Sequence, residues 1–565
     1  MAQKTSKNNT DLAEPQPVAT PHHWWKEAVI YQIYPRSFKD SNADGIGDLQ
    51  GIISKLDYLQ LLGVDVLWLS PVFASPNTDN GYDISDYQAI MTEFGSMADF
   101  DELLAEAHSR GLKVILDLVV NHSSDEHRWF EEARKSTQNQ YRDYYIWRDE
   151  PNNWQSFFSG SAWELSAETG QYYLHLFAKK QPDLNWESPA LRQEIYTMMH
   201  FWLGKGVDGF RMDVIPFLSK DPLFPDYPAG RFGDLTIHAN GPRIHEFLQE
   251  MNHQVLAHYD CLTVGEGFGV AAHQANLYVG HNRQELNMIY HFDHAVPREE
   301  ACFGKPAPEF TLPELKTIFA RWDAAVGHSG WQNTYFGNHD NPRVLSRFGG
   351  SGSHQVAAAK MLATVLLTQR GTPSIYQGDE LGMTNCGFEN VSEFDDIQVK
   401  NAHKSLVMGG SVREVDFLKA ANQIARDHAR TPMQWSAHVH AGFTDGHQTW
   451  LKVNPNHATI NAEDQLSDPD SVFHYYRQLL QIRKKTPALI YGTYRDLLPQ
   501  HPQVWAYVRQ HEGRSVWVFC NFAETKVAVD LMIERPLVIF GNNDSINVKN
   551  NKLTLSPFEA QILGQ

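Results

Sequence analysis

The stretch "FDELLAEAHSRGLKVILDLVVNH", residues 100–122, changes its period halfway along. Its first half spaces apolar residues three and four apart, like one face of a helix. After Gly111 it becomes a continuous apolar run, as in a strand buried on both faces. A helix followed at once by a fully buried strand belongs to a parallel sheet covered by helices, and this strand closes on a polar pair, Asn121 and His122.

The same alternation extends to both sides. "AVIYQIYP" (28–35), the helical "LDYLQLLG" (56–63) and "VDVLWLSP" (64–71) precede it; "VDGFRMDVI" (207–215), "CLTVGEG" (261–267), "LNMIYHF" (286–292), "NTYFGNHD" (333–340) and "PSIYQGDE" (373–380) follow. That makes eight strand candidates, which predicts an α/β fold with a (β/α)8 TIM barrel rather than an open sheet. The alternation stops after His122. Residues 123–188 are rich in Trp, Tyr, Asn and Ser without a helical period, so they read as a loop-rich domain inserted after strand 3. From 492 onward, short runs such as "VWAYVR", "SVWVFCNF" and "KLTLSPFEAQIL" predict a C-terminal antiparallel β-sandwich. The expected division is a disordered tail over 1–23, a catalytic barrel over 24–122 and 189–491, the insert 123–188 and the sandwich 492–565.

Bulk properties narrow the function. The net charge of −19 opposes binding to nucleic acid or an anionic membrane and suits a small neutral substrate. No run approaches the roughly 18 apolar residues of a membrane helix. The polar start of the chain has no apolar signal segment, and the four cysteines, at 261, 302, 386 and 520, have no CxxC spacing. A cytoplasmic protein with reduced thiols is expected, as a monomer or weak homo-oligomer.

Barrels place their chemistry at the C-terminal ends of the strands. Polar residues end five of the runs: Asn121 and His122, Arg211 and Asp213, Glu266, His339 and Asp340, and Asp379 and Glu380. Arg211 and Asp213 share one face of a strand, so the guanidinium favours an ionised carboxylate, which suits a nucleophile. Glu266 sits between two glycines in a carboxylate-rich site, where a raised pKa suits a general acid. With Asp340 to stabilise positive charge and His122 and His339 for hydroxyl groups, this set fits glycosidic cleavage. A retaining pair stands roughly 5–5.5 Å apart, the separation expected of Asp213 and Glu266.

A different chemistry is suggested by "KDSNADGIGDLQG" (39–51), where oxygen-bearing side chains alternate and Gly45 takes the sixth place counted from Asp40. The spacing resembles an EF-hand until the twelfth place, Gly51, where a Glu is required. The loop is either another kind of metal site or an Asx-rich turn.

Taken in order, "DLVVNH" (117–122), "GFRMDV" (209–214), "VGE" (264–266) and "GNHD" (337–340) resemble the four signature regions of glycoside hydrolase family 13, the α-amylase family. "DSNADGIGDL" (40–49), "QPDLNW" (181–186) and "ARTPMQW" (429–435) are similar to its oligo-1,6-glucosidase branch. The resemblance implies a retaining, exo-acting α-glucosidase with Asp213 as nucleophile, Glu266 as acid/base and Asp340 as transition-state stabiliser. Arg211, His122 and His339 would line the glucose subsite, and Asp79, Tyr82 and Arg430 would close it. The opening loop becomes a structural Ca2+ or Mg2+ site, with side-chain ligands Asp40, Asn42, Asp44 and Asp48 and the Ile46 carbonyl; no catalytic cofactor is implied.

Val214, after the nucleophile, is what α-1,6-preferring members carry, which implies an oligosaccharide substrate of the isomaltose type, with some transglucosylation. Phe268 and Phe292, with "NHDNPR" (338–343) and "EFDDIQVK" (393–400), are instead similar to sucrose isomerases, whose aromatic pair holds fructose. Against that alternative, "HAVPREEACFGKPAPEF" (294–310) lacks the isomerases' Arg-Leu-Asp-Arg stretch. An α-1,4- or sucrose-active α-glucosidase is a further alternative. A non-catalytic transporter heavy chain is remote, since it would add a membrane helix and lose the carboxylates.

Overall fold

A computed structural model describes residues 23–228, 234–296, 300–305, 310–350, 352–531, 533–543 and 546–565. Apart from His23, the tail expected over 1–23 lies outside the described residues. Eight parallel strands form the central sheet: β1 (Ile30–Ile33), β2 (Val66–Leu69), β3 (Lys113–Leu118), β4 (Gly209–Met212), β5 (Leu262–Glu266), β6 (Met288–Tyr290), β7 (Asn333–Thr334) and β8 (Thr372–Tyr376). β1 pairs with both β2 and β8, and Ile289 of β6 is bridged to Gln332 just before β7, so the sheet closes into a barrel. All eight strand candidates are therefore strands. The shortest, β7, gains further hold on its neighbour through the Asn333 side chain, which donates to the Thr372 carbonyl and the Ser374 hydroxyl of β8.

The helices that cover the barrel begin and end where their sequences direct. α1 (Met97–Ser109) starts with a capping box between Ser96 and Asp99 and buries Phe100, Leu103, Leu104 and Ala107, spaced to share one face. α2 (Pro189–Lys205) starts with Ser188 accepting the Leu191 N–H and Pro189 at its first turn; it ends at Gly206, whose φ of 106° is left-handed. Three residues later the chain enters β4 at Gly209, where a Cβ would lie 1.9 Å from the Leu262 carbonyl oxygen of β5. Only glycine permits that approach.

Between β3 and α2 the insert forms a three-stranded antiparallel sheet from Trp147–Arg148, Trp163–Leu165 and Tyr172–Leu174, together with a short helix, Arg128–Ala133. Its apolar cluster, including Phe157, Phe158 and Phe177, continues onto Val214 and Phe217 of the barrel. The insert is thus seated over the end of β4. At the C-terminus, antiparallel sheets of five and three strands enclose Val504, Phe519, Val529, Leu553 and Leu563. Among the described residues, no helix is long and apolar enough to cross a membrane.

Candidate active site

β3, β4 and β5 are adjacent, so the polar residues at their ends meet. Asp117 of β3 is level with Arg211 of β4, which is level with Val264 of β5, two residues before Glu266. The buried Arg211 guanidinium holds three carboxylates. Nη1 reaches Asp117 and Asp213 at 2.7 Å each, and Nη2 lies 2.7 Å from Glu266. The Tyr290 hydroxyl accepts from Nε and Nη2 at 3.0 and 2.7 Å, and the Trp68 ring lies 5.2 Å away.

One cation among three buried carboxylates leaves negative charge in excess. Burial pushes Asp213 and Asp117 up to about 6, against the pull of Arg211. The expectation that Arg211 governs Asp213 is corrected here: the interaction exists, but desolvation outweighs it. Asp213 and Glu266 each lie 2.7 Å from a nitrogen of Arg211, at Nη1 and Nη2 respectively. Both are drawn onto the same guanidinium, which screens their repulsion.

Val214 has φ +33° and ψ 40°, a left-handed backbone that β-branched residues rarely adopt. The turn points its N–H at Glu266 Oε2, 2.8 Å away, while Val214 also lines the cavity. Such strain costs on the order of 1–3 kcal/mol and recurs at functional sites.

A second cluster faces the first across the cavity. Arg426 Nη1 donates to Asp340 at 3.2 Å, and Nη2 to Asp79 at 3.3 Å and Asp396 at 2.5 Å. Arg430 stands behind, donating to Asp340 at 2.9 Å and to the His339 carbonyl at 3.0 Å. Asp79 is pushed up to about 6 by burial, which exceeds the opposing effect of Arg426. His122 Nε2 lies 3.1 Å from the Tyr82 carbonyl, and burial, then Lys220, lowers its pKa to about 3, leaving it neutral. The Tyr82 hydroxyl donates to Asp117 at 2.9 Å and meets His339 Nε2 at 2.7 Å.

Of the residues anticipated from sequence, Asp79, Tyr82, His122, Asp213, Val214, Glu266 and Asp340 line one cavity. Arg211, His339 and Arg430 are bonded directly to members of that wall. Phe268 and Phe292 touch one another at 5.4 Å, and Phe268 meets Phe157 at 5.3 Å; they stand beside the lining rather than in it. Asp379 and Glu380 are not brought there. The chain turns at Gly378, φ +92°, and Glu380 accepts instead from the hydroxyls of Tyr31 and Tyr58.

Phe157, Phe158 and Phe177 of the insert, Gln398 and Arg426 also line the cavity and were not anticipated. Arg426 carried a signal, since it lies one helical turn before Arg430 in "ARDHAR". Asp117 carried another, as a charge inside a continuous apolar strand.

The loop at 40–48 stands apart from the cavity. Asp40 accepts from the N–H groups of Asn42, Ala43 and Gly45; Asn42 accepts from Asp44, and Asp44 from Ile46. Asp48 accepts from Ser41 and caps the helix Leu49–Ile53 through the Gly51 N–H. Among the described residues, no three His, Cys, Asp or Glu side chains converge as metal ligands. Each of these side chains nonetheless has lone pairs beyond those that these bonds use, and an all-oxygen donor set is the kind that hard cations take.

Residues 32–492 match the alpha amylase catalytic domain, and residues 494–562 the C-terminal domain of maltogenic amylase. An oligo-1,6-glucosidase of Bacillus cereus is 50% identical over 555 residues, covering 95% of this chain and 99% of that protein. A glucan 1,6-alpha-glucosidase of Streptococcus dysgalactiae subsp. equisimilis is 47% identical over 540 residues, covering 95% and 98%. Among solved structures, a mutant isomaltulose synthase from Erwinia rhapontici NX5, in complex with its natural substrate sucrose, superposes with a TM-score of 0.93 at 46% identity, covering 97% of this chain and 100% of that one. With a catalytic-domain match over most of its length and relatives half identical from end to end, the chain belongs to the α-amylase family of glycoside hydrolases, family 13.

Proposed function

We propose that the protein is a retaining, exo-acting α-glucosidase that removes terminal α-glucosyl residues from short oligosaccharides, preferring α-1,6 linkages. The observation that carries this reading is the single cavity on which Asp213, Glu266 and Asp340 converge, with Arg426 joining Asp340 to Asp79 at one side. Asp213 attacks the anomeric carbon while Glu266 delivers its proton to the departing glycosidic oxygen. Water, activated by Glu266, then cleaves the glucosyl-enzyme ester, and two inversions give net retention. Asp340, oriented by Arg426 and Arg430, faces the positive charge that develops in the transition state of each step. Capture of the intermediate by a sugar hydroxyl gives transglucosylation instead.

The linkage preference is supported by Val214 and by the names of the curated relatives, an oligo-1,6-glucosidase and a glucan 1,6-alpha-glucosidase. A second reading, sucrose isomerisation, is favoured by the contact between Phe268 and Phe292 beside the cavity and by the likeness to isomaltulose synthase. Proton NMR of incubations with isomaltose, maltose and sucrose separates the two. α-Glucose released fastest from isomaltose is expected; isomaltulose or trehalulose accumulating from sucrose would transfer the protein to the isomerases.

Asp213 must be ionised to attack, and its pKa is raised to about 6. kcat/KM should therefore fall as pH drops below that value, by about tenfold per pH unit at the acid extreme. The limb reports the macroscopic titration of the carboxylates gathered on Arg211, Asp213 among them. A flat profile down to pH 4 would remove Asp213 from the nucleophile's role.

The loop at 40–48 is proposed to hold a structural Ca2+ or Mg2+ on Asp40, Asn42, Asp44, the Ile46 carbonyl and Asp48. A bound ion would tie the loop after β1 and take no part in the displacement. Chelation should lower thermal stability, by roughly 2.7–4.1 kcal/mol for an ion present at 100 to 1,000 times its Kd, and leave turnover measured well below Tm intact. An apoprotein of unchanged Tm that has lost activity would contradict this. Cys261, Cys302, Cys386 and Cys520 are free thiols, which supports a cytoplasmic setting; a monomer or weak homo-oligomer completes the reading.

A further inference from the structure

Gln32, on β1, lies outside every segment that resembles a signature region, yet its side chain is buried against the candidate active site. Its amide nitrogen lies 2.7 Å from His339 Nδ1 and 3.1 Å from the Ser70 hydroxyl. On the opposite side of the ring, His339 Nε2 lies 2.7 Å from the Tyr82 hydroxyl and 3.4 Å from Asp340 Oδ2. The Tyr82 hydroxyl has one proton, and a carboxylate acceptor, Asp117 Oδ2, lies 2.9 Å away. With that proton on Asp117, the hydroxyl faces His339 as an acceptor, and so does Asp340. Two acceptors at Nε2 call for N–H there, which leaves Nδ1 as a bare lone pair requiring a donor. The Gln32 amide supplies it.

We propose that Gln32 is a positioning residue that locks His339 as the neutral imidazole protonated on Nε2. This rests on the role proposed above for His339 in the glucose subsite. The amide fixes the tautomer and supplies no acceptor for a second proton at Nδ1, so the ring brings no positive charge next to Asp340. Tyr34, stacked at 5.9 Å, and Arg430, bonded to the His339 carbonyl, also face this residue, and neither offers an acceptor to Nδ1.

Neutron diffraction of the wild-type protein at neutral pH reads the arrangement directly. A deuteron is expected on His339 Nε2 and none on Nδ1; a deuteron on Nδ1 overturns the proposal. Gln32→Glu tests the consequence, because a carboxylate at that place accepts an Nδ1–H and draws a second proton from solvent onto the ring. kcat should fall about 100-fold at pH 6, the size of a misplaced charge at a preorganised site, and recover as pH rises. Gln32→Met removes the donor without adding an acceptor, and should lower kcat about tenfold with no displacement of the pH profile. If the profile of Gln32→Glu runs parallel to that of the wild type, the tautomer lock is wrong. If the wild-type protein cleaves no glucoside, the proposed function fails, while the neutron map still decides the state of His339.

Discussion

Asp213→Asn should lower kcat on isomaltose by about four orders of magnitude or more, since no other group in the cavity can form the glucosyl ester from the same side. The variant should fold normally and be somewhat more stable at neutral pH. Asp213 has its pKa raised from 3.8 to about 6, so its ionised form is disfavoured in the folded state relative to the unfolded chain. A raised carboxyl pKa means that folded protein binds the proton more tightly; wild-type stability therefore declines as pH rises from about 4 to 6, and the deficit persists above that window. Asparagine has no such deficit, and Arg211 still holds Asp117 and Glu266. The gain should be of order 1–3 kcal/mol at pH 7, read by calorimetry beside the kinetic assay. Retained turnover would overturn the assignment of the nucleophile. Lost turnover with a collapsed Tm would show that Asp213 is a structural partner of Arg211 rather than a reacting group.

Arg426→Ala should damage stability and activity together. The guanidinium is the common partner of Asp79, Asp340 and Asp396, all buried. Removing one partner of a buried ion pair leaves uncompensated charge and costs about 3–5 kcal/mol. Here three carboxylates lose a cation; Asp340 keeps its ion pair to Arg430, which acts on Asp79 and Asp396 as well. kcat/KM should drop by at least about 100-fold as Asp340 and Asp79 lose their orientation. The deficit in stability should shrink on acidification, because Asp79 already has its pKa raised to about 6 and takes up a proton more readily once the cation is gone. A difference in Tm from wild type that is larger at pH 8 than at pH 5 is the expected signature. A constant difference would mean that Arg426 contributes through packing on Phe158, 5.2 Å away, and not through charge.

These two substitutions differ in how far their targets could be read in advance. Asp213 ends a strand two residues after Arg211 in a segment that resembles a signature region, so both its place and its chemistry were legible. Arg426 was passed over for Arg430, because the resemblance covers "ARTPMQW" and begins just after it. Burial was the other blind spot. Arg211 is two residues from Asp213 in the chain, so its effect on that carboxyl was anticipated, whereas the stronger opposing effect comes from the depth of the site. The insert was recognised by its lack of period, yet nothing local showed that Phe157, Phe158 and Phe177 would face the cavity. Asp379 and Glu380 met the same strand-end criterion as Glu266, and a single left-handed glycine carried them elsewhere.

By itself the sequence determined the barrel, the insert, the sandwich and the carboxylates at the ends of β4 and β5. Those features follow from periodicity and from position along a strand, which are properties of neighbouring residues. Only the tertiary structure decided which charges share a partner and which ring nitrogen faces a donor. Arg426 meets Asp79 across 347 residues of chain, and Gln32 meets His339 across 307. Electrostatic balance in a buried site depends on such separations to within an ångström or so, and distance through space between remote segments is not encoded in any window of the sequence.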